Sequence, residues 1–179
     1  ACLPDLMGDY RMHPNSISGA SIRHGRRVAL YSQLAALAAR RRRQGSGDVE
    51  PDPSEARAAP SPAPLPDQIA DAAQRHALTK DDLSRLVPSV AAKLMELAGY
   101  RPFELESCDC RFIADSLSDL PGGLTVRNRM DLRKRRAATA ARLLRLGRAK
   151  DALVLGWGLW PEVLARAASN RLYWHKRLP

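Results

Sequence analysis

The chain is 179 residues long and carries 29 Lys and Arg against 19 Asp and Glu, giving a formal net charge of +10 and a pI near 10.2. This length allows one domain, or one domain with a tethered arm, and the charge calls for a large polyanion as counter-surface. Aromatics make up 5% of a chain that is 45% apolar, so the core must be built from Leu, Ala and Val, which points to a mainly α fold and away from an all-β one.

The charge is segmented. Residues 1–47 hold eight bases and two acids, residues 48–99 five and nine, and residues 100–179 sixteen and eight, so the net charge runs +6, −4 and +8 along the chain. The opening stretch, Ala1 to Gly25, contains Pro4, Pro14, Gly8, Gly19 and Gly25 with no sustained period and reads as an extended arm. From Arg26 to Arg43, the residues Val28, Tyr31, Leu34, Leu37 and Ala38 recur at helical spacing. Arg40, Arg41, Arg42 and Arg43 fall in the last turn of that helix, against the negative end of its dipole, and Gly45 stops it. Arm and helix form a first unit, 1–44. Residues 45–66, with six prolines between Pro51 and Pro66, read as an acidic, Pro-rich linker, long enough for the first unit to dock away from the rest, on another subunit.

Residues 67–179 read as a small helical domain. Three short helices are expected at Asp67–His76, Lys80–Leu86 and Val90–Ala98, with a capping box from Thr79 to Asp82, Ser89 as a further cap and Gly99 as a left-handed stop. Arg101 to Glu106 reads as extended, and Asp109 to Leu117 as a helix closed by Pro121, Gly122 and Gly123. A long helix from Thr125 to about Leu146 is broken by Gly147, and Lys150–Leu159 with Pro161–Leu172 completes a C-terminal helical hairpin and tail.

Three stretches resemble known motifs. Ala72 to Val87, with Ala73, Ala77, Leu78, Thr79, Leu83 and Leu86, is similar to the helix-turn-helix of repressors and recombinases, which implies duplex DNA as a ligand. Asp81 and Asp82 stand at the start of its would-be recognition helix, where phosphates must approach, so a packing unit is the favoured reading. Leu143, Gly147, Arg148, Asp151, Ala152 and Leu153 resemble one hairpin of the tetratricopeptide and pentatricopeptide repeats; the second kind implies RNA. No second copy follows at that period, so an isolated hairpin is expected. Tyr10 to Pro14 is similar to a stretch of superfamily 1 helicases, but the chain lacks a Gly-Lys-Ser/Thr phosphate loop and is too short for two helicase cores.

The strongest chemical signal is the long helix. Ten bases lie between Arg127 and Lys150 with Asp131 as the sole acid, so the helix repels itself unless an anion compensates. Arg129, Arg133, Lys134, Arg135, Arg136, Arg142 and Arg145 are therefore, with Arg40 to Arg43, the candidate anion contacts, since guanidinium forks suit phosphate. Trp157, Trp160, Tyr173 and Trp174 gather most large aromatics in the tail, as a subunit interface would. Cys2, Cys108 and Cys110 cannot build a disulfide framework, and Cys108-Asp109-Cys110 lacks the further ligands a structural zinc needs. His13, His24, His76 and His175 mark no nucleophile or acid-base site, so neither a catalytic residue nor a cofactor or metal is expected.

No stretch approaches the length of a membrane span. The start at Ala1 fits a removed leader, and hence an organelle matrix, as well as it fits simple Met removal. The expectation is a non-catalytic basic subunit of a large, organellar, ribosome-like assembly, with RNA and neighbouring protein subunits as partners. An accessory subunit of a mitochondrial membrane complex, meeting anionic lipid or acidic protein, is the alternative. A helix-turn-helix DNA regulator is the third reading, and the cytoplasm the alternative location.

Overall fold

Seven helices and no strand make up the described residues of the computed structural model, which are 21–45, 60–99, 103–118 and 126–175. The helices are α1 (Ile22–Arg43), α2 (Leu65–Arg75), α3 (Lys80–Ala98), α4 (Ser107–Ser116), α5 (Val126–Arg145), α6 (Ala149–Leu155) and α7 (Trp160–His175). The arm before residue 21, with its helicase-like pentapeptide and Cys2, lies outside the described residues, as do 46–59 of the linker and the Pro121, Gly122 and Gly123 stop.

Helix α3 is the axis of the molecule, packing against α1, α4 and α5, while α5 in turn holds α6 and α7. It is one helix where the sequence suggested two, with Pro88 inside it. Leu86, Val90, Leu94 and Met95 keep a single helical phase across the proline, and their continuous burial holds the helix together although Pro88 donates no hydrogen bond. Ser89 is thus a helix residue, and Gly99 closes α3 in a right-handed conformation, not the expected left-handed one. The capping box forms as expected: Thr79 Oγ accepts from the Asp82 N–H, and the Asp82 carboxylate accepts from the Thr79 N–H.

Helix α1 does not dock elsewhere. Ala29, Leu30 and Leu34 are buried in the same core as α3, α4 and α5, and the α1–α3 pair is antiparallel, with Arg41 beside Asp82 at one end and Gly25 against Phe103 at the other. It also starts at Ile22, before the expected Arg26, because Gly25 is a contact residue and not a loop: a Cβ there would stand 2.5 Å from Phe103 Cζ. Helix α2 begins at Leu65 within the expected linker, since Pro66 suits a first helical turn.

Two interhelical turns are set by left-handed residues. Gly147, at φ +76, lets Arg148 N–H bond Leu143 O (2.9 Å) and Gly147 N–H bond Leu144 O (3.1 Å), the paired closure that turns α5 into α6. The α2–α3 turn uses the same closure with Ala77 at φ 45. Helix α6 is shorter than expected and ends at Leu155, because Gly156 and Gly158 reverse the chain before α7. Residues 103–106 form a non-helical link into α4, not a strand.

Candidate anion-binding surface

The candidate bases divide into those the fold uses and those it presents. Arg41 pairs with Asp82 at 3.0 Å, joining the end of α1 to the start of α3. Arg133 pairs with Glu162 of α7 at 2.6 Å, and Arg142 with Glu104 at 3.1 Å. Arg136 is half-buried and gives both Nε and Nη2 to the Leu155 carbonyl oxygen, at 3.1 and 2.9 Å. These four arginines fasten helices to one another.

The remainder face outward. Lys134, Arg135 and Arg145 are exposed on α5 and make no ion pair among the described residues, and the same holds for Arg129 near its start. At 100° per residue, Lys134 and Arg145 lie within about 20° of one another but about 16 Å apart along the axis. The buried Ala137, Ala140, Ala141 and Leu143 between them show that the middle of α5 is covered, so the exposed bases fall at its two ends, Arg129, Lys134 and Arg135 before the covered stretch and Arg145 after it. At the end of α1, Arg42 and Arg43 are exposed and Arg40 is half-buried beside Leu86. The two basic groups sit near opposite ends of α3, because Arg135 lies beside Gly99 while Arg41 meets Asp82. A 19-residue helix spans about 28 Å, which sets their separation.

The helix-turn-helix resemblance meets a different environment from the one DNA reading needs. Asp82 is buried at the start of α3, and although burial opposes its charge, Thr79 and Arg41 hold its carboxyl below the ordinary range. The position that would meet a phosphate thus carries an ionised carboxylate already covered by α1.

Sequence reading missed a fully buried ion pair. Arg26 is 1% exposed and Asp109 0%, and the two form a bidentate pair, Nε to Oδ1 at 2.7 Å and Nη2 to Oδ2 at 2.9 Å. Glu106 accepts a further bond at 2.6 Å. Burial alone would lower the Arg26 pKa, but the bonds to Asp109 and Glu106 more than offset it and raise it. The signal in the sequence is phase: Arg26 lies four residues before Leu30 and eight before Leu34, on the buried stripe. Cys108 adds its Sγ, 3.2 Å from Arg26 Nη2, so the Glu106, Cys108 and Asp109 cluster surrounds a guanidinium, which repels a metal ion. Cys110 points elsewhere into the core, and burial, then Asp151, push its thiol up to about 12, so neither half of the Cys-x-Cys pair offers a thiolate.

Of the expected interface aromatics, Trp157 is 76% exposed on the α6–α7 turn and Trp160 is partly buried against the core. The side chains of Tyr173 and Trp174 lie outside the described ones. None of the described helices is long and apolar enough to cross a membrane. Comparison with protein families, curated proteins and solved structures finds nothing that matches this chain.

Proposed function

We propose that this chain is a non-catalytic, basic, helical accessory subunit of a large ribonucleoprotein assembly of the ribosomal kind, in an organelle matrix and specifically a mitochondrion, where it contacts RNA phosphates. One observation carries the reading: the exposed Lys134, Arg135 and Arg145 of α5 make no ion pair among the described residues, whereas Arg133 and Arg142 on the same helix are each paired with a carboxylate. Uncompensated like charge on one helix costs stability that an anionic partner recovers. Guanidinium and ammonium groups held on a rigid helix suit a phosphate backbone, and their contribution is independent of base sequence.

The test is the salt dependence of binding to a structured RNA hairpin. Each phosphate contact contributes roughly 0.7–0.9 to the slope of log affinity against log salt, so replacing Lys134, Arg135 and Arg145 by Gln should lower the slope by about 2. An unchanged slope sinks the assignment of these three residues. Binding to cardiolipin vesicles with none to RNA would instead favour a membrane-complex subunit. In the native setting, the protein should co-sediment with a ribonuclease-sensitive particle; sedimentation as a free monomer rejects the assembly reading.

A further inference from the structure

We propose that the groove beside Trp157 docks a segment of a partner protein that presents an apolar side chain next to a carboxylate. The groove has a volume of about 670 Å³ and lies between the end of α4 and helix α6, with Leu117, Leu153, Val154 and Trp157 as its apolar walls and Arg136 and Asp115 as its charges. It faces away from Arg145, which lies about 180° around α5 from Arg136.

Two features of the groove point to such an occupant. The first is apolar surface held outward by the backbone. Trp157 is 76% and Leu153 48% exposed, although burying a Trp removes about 150–250 Å² from water. Trp157 is flanked by Gly156 and Gly158. A Cβ on Gly156 would stand 2.8 Å from Ala152 O and 3.2 Å from Ala140 Cβ, and Gly158 takes φ +74, so the turn is built around two positions that only Gly fills freely. The glycines thus fix the backbone path of the turn, which places Trp157 at the rim of the groove.

The second is an under-compensated cation. Arg136 is half-buried, and both of its described bonds go to one neutral oxygen, that of Leu155. Burial first, and the neighbouring Arg133 second, lower its pKa, while the Arg133 charge is itself matched by Glu162. A carboxylate arriving at Arg136 would find a guanidinium already desolvated and oriented, which is where a charge-assisted bond is strongest. Asp115 lines the α4 side of the same groove and makes no bond to Arg136, so it directs an incoming acid toward the α6 side. A Trp and an Arg side by side in a concave site is the composition that dominates binding energy at protein interfaces.

The probe is a set of four blocked twelve-residue peptides, identical except that the central pair is Leu-Glu, Leu-Gln, Leu-Lys or Ser-Glu, titrated into the full chain. The readout is the indole N–H resonance of Trp157, assigned with Trp157→Phe. The Leu-Glu peptide should shift that resonance saturably and bind at least tenfold more tightly than the other three, and Trp157→Ala, an exposed change on a turn, should abolish binding. The Glu-to-Gln peptide comparison removes the charge without touching the protein, so the result stands even where Arg136→Gln impairs folding. Equal affinity for the Glu and Lys peptides, no shift at Trp157, or displacement of its resonance by an RNA hairpin in place of the peptide would overturn the proposal. So would a Trp157 indole shielded from acrylamide in the free protein, because the groove would then be filled by the chain itself.

Discussion

Arg26 carries a buried charge on which the packing of α1 against α4 depends. A buried guanidinium held by Asp109 and Glu106 leaves an unpaired buried charge when either side of the pair is removed. Arg26→Met should therefore destabilise the protein by about 3–5 kcal/mol, measured by chemical denaturation, and the double variant Arg26→Met/Asp109→Leu should recover much of the loss. Failure of the second change to restore stability would mean that the pair shapes the core as well as neutralising it. His76 provides a pH test. Burial, then the charge of Arg75, lowers its pKa below 6.5, and its Nε2 is buried without a partner. The unfolded chain thus takes up the proton more readily, so this contribution is complete above the ordinary imidazole range and is lost as pH falls. Thermal stability should drop between pH 7 and pH 5, and His76→Leu should flatten that part of the profile. The basis of the two predictions was unequally legible: Arg26 occupies the buried phase of a readable stripe, but its partner is 83 positions away, where no local pattern reaches.

At the scale of elements, local chemistry and tertiary packing divide the explanation. The Thr79–Asp82 box and the Gly45 and Gly147 stops were readable because each needs only a few neighbouring residues and one backbone conformation. The continuity of α3 was not, because a proline favours ending a helix locally and only burial on α1, α4 and α5 overrides it. Pro88→Ala should accordingly stabilise α3 by about 1–3 kcal/mol, seen as a raised Tm, since the missing amide is restored without moving the buried stripe. Ala77 poses the reverse case. A residue with a Cβ pays about 1–2 kcal/mol in the left-handed region, so Ala77→Gly should raise stability modestly despite the extra freedom Gly gives the unfolded chain. The candidate basic site was legible as composition and not as geometry. Eight bases mark the helix, but only packing separates Lys134, Arg135 and Arg145, which face out, from Arg133, Arg136 and Arg142, which brace the fold.

For the whole molecule, the segment charges take on a shape. Helix α1 is folded back along α3, so the bases at its end and those beside Gly99, which the sequence separates by an acidic linker, stand near the two ends of one helix. A single core also changes what the linker does. With a protease site inserted between residues 46 and 59, the cleaved chain should remain one particle on size-exclusion chromatography, because Ala29, Leu30 and Leu34 stay buried against α3. Separation of the pieces would show that α1 is held by tethering and not by packing.

The span between Arg26 and Asp109 also bears on the order in which the protein is made. During synthesis Arg26 is joined to the chain with its partner carboxylate still 83 residues from being added. Chains grow at about 5–20 residues per second, so α1 waits several seconds or more, its charge exposed, before the site that accepts it exists. Its charge can thus be paired only after α3, on which α1 packs, is already complete, and a chain truncated before Asp109 should leave α1 more open to proteolysis than the full chain does.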